Sequence, residues 1–180
     1  MKKYIIILLC LVSCKKIDDA GFRTYTIKCG NHKSRSSFKT TKTNNLQFQV
    51  IFDSTAIYET IDPVNQWDVN KLYGTSDCGD RHQESSIRIG WRWLNDSLEL
   101  HWFRHNETFE FEKIKCVELN KIIDCSIEFD NSEYVINIDD VIVIIDRPCN
   151  TSSNRKYYLW PYFGGDETAP HDIKIKIKNL

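Results

Sequence analysis

Two segments of this chain concentrate residue types that do chemistry. The first, residues 71–82 (KLYGTSDCGDRH), gathers Asp77, Asp80 and His82 around Gly74 and Gly79. Two carboxylates and an imidazole suit a metal ion or an acid–base pair. Their spacing matches no calcium loop, and turn residues that satisfy nearby backbone N–H groups explain the segment more simply. The second, residues 160–172 (WPYFGGDETAPHD), places Gly164-Gly165 before an acidic pair, with Asp172 at the mouth of a final alternating run. Asp166, Glu167 and Asp172 offer the hard oxygen ligands that a structural Ca2+ takes. The simpler alternative is a conformational corner packed by aromatic rings.

A third set is aromatic and cationic. Trp91, Trp93, Trp102, Tyr157, Tyr158, Trp160 and Tyr162 exceed what a small core uses. Aromatic rings stack on the apolar faces of sugars, while Arg and His reach hydroxyls and carboxylates. Trp91 and Trp93 share a side with Ile87 and Ile89, a core pattern. Arg88, Arg92 and His101 alternate onto the opposite side, where they form either a strip for an anionic glycan or a solvated outer face. Arg88, Arg92, His101, Trp160 and Tyr162 are therefore the candidate ligand-binding residues. The expected site is an aromatic-lined sheet face beside the 71–82 or 160–172 segment.

No nucleophile elbow, zinc-protease motif, P-loop or dinucleotide fingerprint is present, and no carboxylate pair for glycoside hydrolysis stands out. The leading expectation is a non-catalytic binding module, with carbohydrate as its ligand. One alternative is a polysaccharide-processing enzyme on the same scaffold. Another is a structural or protein-interaction lipoprotein of the cell envelope.

The elements that must position these residues are strands. Residues 22–28, 46–52, 87–93 and 98–102 alternate apolar and polar side chains, the mark of a strand with one buried face. Asn95-Asp96 makes the turn of a hairpin between the last two. Further strands are predicted at 108–114, 123–129, 133–138, 141–146, 156–162 and 172–178, and no stretch keeps helical periodicity over three turns. Short strands with closely spaced turns argue for an all-β fold, a jelly-roll-like antiparallel β-sandwich over 22–180, with no second domain.

The N-terminus is of another kind. Lys2 and Lys3 precede an apolar run from Tyr4 to Val12, and Ser13-Cys14 supplies a small residue before a cysteine. Residues 1–13 are read as a signal peptide whose apolar run is too short to span a bilayer. Leu11-Val12-Ser13-Cys14 resembles the bacterial lipobox, which makes Cys14 the lipidated residue and 14–21 a tether. The protein is thus expected to be exported and held by acyl chains in a membrane, most simply the outer membrane. Loss of residues 1–13 leaves 22 basic and 25 acidic side chains with no basic run, which excludes nucleic acid as the expected partner. Cys29, Cys78, Cys116, Cys125 and Cys149 remain for the folded body. Export makes disulfides plausible, at most two of them, with pairing open.

Residues 54–58 (STAIY), 71–78 (KLYGTSDC), 90–93 (GWRW) and above all 161–172 (PYFGGDETAPHD) resemble a family of small Bacteroidota lipoproteins without an assigned activity. The resemblance spans roughly residues 46–178. It implies export and a single β-domain, and it supplies no catalytic residue.

Overall fold

The computed structural model describes residues 17–149 and 155–180. Residues 1–13, read as a signal peptide, and Cys14 lie outside these residues. Twelve strands run in chain order: β1 Arg23–Ile27, β2 Thr40–Thr41, β3 Asn45–Phe52, β4 Asn70–Ser76, β5 Ser85–Leu94, β6 Ser97–Asn106, β7 Thr108–Val117, β8 Ile123–Phe129, β9 Glu133–Ile138, β10 Val141–Asp146, β11 Lys156–Leu159 and β12 Ile173–Asn179. They form two six-stranded antiparallel sheets, ordered β1-β12-β3-β8-β9-β10 and β2-β11-β4-β5-β6-β7. Two 3-10 turns, Ser54–Ala56 and Pro63–Trp67, are the helical content of the described residues. The chain is a jelly-roll-like antiparallel β-sandwich.

Alternation decides which side chains enter the core. Phe48, Val50 and Phe52 of β3, with Ile173, Ile175 and Ile177 of β12, meet Ile87, Ile89 and Trp91 of β5 and Leu98 and Leu100 of β6. Each buried side chain of this size contributes roughly 1.5–3 kcal/mol. Because the period is two, fixing Ile87, Ile89 and Trp91 inward turns Arg88, Gly90 and Arg92 onto the outer face of the second sheet. On β6 the same logic turns Glu99, His101, Phe103 and His105 outward. The register then sets Arg88 across from Phe103, Gly90 across from His101 and Arg92 across from Glu99.

Besides shifted strand ends, with β7 running on to Val117 and β11 stopping at Leu159, two regions differ from the sequence expectation. Residues 70–76 are strand β4 rather than loop, and the loop proper begins at Asp77. This strand is buried nearly throughout between β11 and β5, so it shows no alternation to read. Its Gly74 is required by packing: a Cβ there would lie 2.1 Å from the Ile87 carbonyl oxygen and 2.6 Å from the Arg88 Cα. Residues 17–21 form a turn, with Asp18 accepting from the Phe22 N–H and the Lys176 ammonium. Among the described residues one disulfide, Cys78–Cys149, joins the end of β4 to the chain after β10, and Cys29, Cys116 and Cys125 are free thiols.

Candidate functional site

A cleft of about 600 Å3 opens on the outer face of the second sheet, between β4, β5, β6 and the Tyr157–Tyr162 segment. Arg88 rises from its floor, and Lys71, His82, His105, Tyr157 and Tyr162 stand around it. Tyr162 is placed by backbone pairing: its N–H and C=O bond the C=O and N–H of Lys71, both at 2.8 Å. His82 comes from the loop after β4, where the Tyr157 hydroxyl accepts its backbone N–H at 2.8 Å and lies 3.0 Å from its Nδ1. Ser86 joins this loop to β6, donating to the His82 carbonyl and lying 3.4 Å from His105 Nδ1.

The electrostatics of this cleft are one-sided. Arg88 is 7% exposed, its Nε is buried without a partner, and its side chain makes no hydrogen bond or ion pair among the described residues. The neighbouring arginines behave differently: Arg92, Arg104 and Arg147 each hold a carboxylate. Arg88 has instead the Phe103 ring, 5.4 Å from the guanidinium carbon. Lys33 also lines the cleft, and among the described residues no Asp or Glu does. Burial lowers Arg88 to about 10, so it stays charged at neutral pH. Burial, with the Arg88 charge second, lowers Lys71 to about 8. The same two causes hold His105 at about 4 and push His82 downward. The described lining of the cleft is a set of cationic and neutral nitrogen groups without a carboxylate, although Asp68 lies close enough to favour the Lys71 charge, and a buried charge is costly until paired.

The remaining sequence candidates divide into separate groups. Arg92 and His101 share the sheet face of Arg88 but belong to a second cluster. Arg92 Nε donates to Glu99 at 2.6 Å, Lys113 donates to Glu99 at 2.9 Å, and His101 Nε2 lies 3.3 Å from the same carboxylate. Trp160 borders the cleft, yet it packs at 5.2 Å on Tyr25 and 5.1 Å on Tyr73, so those contacts hold it against the core. Tyr162 lines the cleft with its ring stacked on His32.

Asp166, Glu167 and Asp172 do not converge, which corrects the expectation of a joint Ca2+ site. Glu167 accepts the Ile61 and Asp62 N–H groups and the Asn65 amide, each at 2.8 Å. Asp172 is held by the Lys28 ammonium and the Cys29 N–H, and Asp166 is exposed. Among the described residues one acidic and thiol group does converge, Asp77 with Cys78 and Cys149. There the sulfurs are joined to each other, and the carboxylate accepts from Arg147 and Tyr134.

His105 is a cleft residue that the sequence reading did not name, while Tyr157 stood there only within the aromatic set and Lys71 only within the 71–82 segment. His105 had a signal, since it follows His101 and Phe103 at spacing two and so shares their face. What brings Lys71 to the cleft is its backbone pairing with Tyr162, and what brings Tyr157 is the pairing of β11 with β4; neither long-range pairing is legible in the sequence.

Two histidines, His101 and His105, predict an acid limit. His101 and His105 are both held at about 4, against an ordinary 6.5, with burial the leading cause. Arg92 and Lys113 oppose protonation of His101 while Glu99 favours it, and Arg88, Lys71 and His82 oppose that of His105. Between pH 6.5 and 4 the unfolded chain binds protons that the folded chain does not. Stability is therefore full above 6.5 and lost as pH falls towards 4. Thermal melts at pH 7 and pH 4.5 are expected to show a lower midpoint at 4.5, reduced in size by His101→Gln. Equal midpoints would contradict this.

No protein-family model matches the chain, and no curated protein matches it in sequence. Solved structures do match in fold. The alginate lyase AlyC3 superposes with a TM-score of 0.66 at 11% identity, over 91% of this chain and 76% of that one. A glycoside hydrolase family 16 enzyme of the Bacteroides ovatus mixed-linkage glucan locus gives 0.53 at 12% identity, over 92% and 83%. The laminarinase catalytic domain of Thermotoga maritima gives 0.56 at 9% identity, over 92% and 78%. At such identities the likeness establishes the fold, a sandwich shared with carbohydrate-active enzymes.

Proposed function

We propose that this protein is a lipid-anchored envelope lipoprotein whose cleft binds the carboxylated sugars of an acidic polysaccharide. The observation that carries the reading is Arg88, a buried guanidinium with no anion among the described residues, in a cleft lined by Lys71 and Lys33 and by no carboxylate. Arg presents a planar fork of donors that matches a carboxylate, and aromatic and hydroxyl groups beside it suit a pyranose ring. The fold likeness to an alginate lyase supports a uronate. The likeness to glucan hydrolases is supported less, because retaining and inverting hydrolysis both need two carboxylates across the scissile bond, and the described lining supplies none.

A second reading, β-elimination, is favoured by the neutral imidazoles beside the cation. Arg88 and Lys71 would neutralise the sugar carboxylate, which acidifies the C5–H bond. His105 or His82 would take that proton, and the electron pair would form the C4–C5 double bond. The C4–O4 bond would break, with O4 receiving a proton from the Tyr157 or Tyr162 hydroxyl.

The test is calorimetric titration of the full-length chain with polymannuronate and with a neutral β-glucan. Binding of the first alone is expected, and equal affinity for both would sink the reading. Appearance of the ultraviolet band of the unsaturated product would add the elimination step. For the anchor, Cys14→Ser is expected to abolish palmitate labelling in the producing cell, and unchanged labelling would overturn the lipoprotein assignment.

A further inference from the structure

The 3-10 turn Pro63–Trp67 ends in a tryptophan that is 59% exposed. The turn that presents it is held from several sides. Pro63 fixes its start, and the Asp62 side chain caps the Val64 N–H. Gln66 donates to the Trp93 carbonyl at 2.6 Å and accepts the Thr60 N–H at 2.9 Å. Asn65 donates to Glu167. Arg92 then bonds the Trp67 carbonyl oxygen at 2.9 Å and lays its guanidinium 5.4 Å from the indole centroid. An apolar ring this large, kept outward by so many restraints, is preorganised for a ligand face.

Trp67 is tied to the strand that carries the cleft arginine, through Arg92. Arg92 and Arg88 are on one strand and one face, four residues apart, or about 13 Å. Arg92 spends Nε on Glu99 and Nη1 on Trp67, and Nη2 has no hydrogen-bond partner among the described residues. An exposed indole beside a guanidinium is the pairing that a uronate ring asks for: the C–H face on the indole, the carboxylate towards the arginine.

We propose that Trp67 and Arg92 form a second sugar site on this sheet face, distal to the Arg88 cleft, so that the protein engages a polyuronate chain and not a single sugar. This rests on the cleft reading above. The test is titration of the full-length chain with dimannuronate and hexamannuronate, for the wild type and for Trp67→Ala and Trp67→Phe. Trp67→Ala is expected to weaken hexamer binding by about three- to tenfold and to leave the dimer unchanged, with Trp67→Phe keeping most of the affinity. Hexamer, and not dimer, is expected to shield Trp67 from acrylamide quenching. Hexamer affinity unaltered by Trp67→Ala, or an equal loss for both oligosaccharides, would overturn the second site alone. A wild type that binds neither oligosaccharide would overturn the cleft reading and this one with it.

Discussion

Arg88→Met is expected to raise the melting temperature and to remove polyuronate binding in the same step. The side chain is buried, charged at neutral pH and unpartnered among the described residues, with the Phe103 ring beside it. Replacing a buried charge by an apolar side chain of similar length is commonly neutral or stabilising, by about 1–4 kcal/mol. Truncating one partner of a desolvated charge pair costs binding about 2–5 kcal/mol, or about thirtyfold in affinity at the lower end. Opposite signs in the two measurements are the signature of a residue retained for a ligand at the expense of stability. Thermal melts and titration of the same preparation check it. A variant that melts well below the wild type would instead mark Arg88 as a structural element.

The second large effect belongs to Asp77, which the sequence marks as a possible metal ligand or acid–base residue. The structure gives it a mechanical task. It is fully buried, accepts the Tyr134 hydroxyl at 2.8 Å and takes Arg147 at 2.6 and 3.0 Å. Tyr134 lies on β9 in the first sheet and Asp77 follows β4 in the second, so this cluster ties one sheet to the other. Cys78–Cys149 closes a loop of sequence separation 71 at the same place, a constraint worth roughly 4 kcal/mol on chain-entropy grounds. Asp77→Ala is expected to cost about 3–5 kcal/mol, read as a lower urea midpoint at unchanged slope. It is also expected to weaken ligand binding, because the loop that starts at Asp77 delivers His82 and Gln83 to the cleft. A loss below about 1 kcal/mol, the value of an exposed pair, would contradict this account.

How much of this was legible depends on which faces each strand buries. Strands at 123–129 and 133–138 can be read residue for residue from alternation, because each has one inward face; the strand at 141–146, VIVIID, is legible from its unbroken β-branched run instead, and none of its side chains is fully buried. β4 cannot, since a strand buried on both faces leaves no period, and its Gly74 reads like a turn residue. The shared face of Arg88, Arg92 and His101 follows from alternation within one hairpin. That Arg92 and His101 are committed to Glu99 while Arg88 has no carboxylate does not, for it depends on the register and on a shift opposite His101 in the pairing of β6 with β7. The carboxylates of the 160–172 segment mislead for a related reason. Composition places Asp166, Glu167 and Asp172 together, whereas the backbone path through Gly164, at φ +74, sends Glu167 to the 61–65 turn and Asp172 to Lys28. Glu167 thereby helps anchor the turn that presents Trp67.

The central claim is that the cleft recognises carboxylate. Its most direct test is calorimetry on the full-length chain with one polyuronate in two forms, native and carboxyl-reduced, which share backbone linkage and length and differ in charge. The account predicts binding of the native polymer that weakens with added salt, and no measurable heat from the reduced one. Equal affinity for the two forms would contradict it.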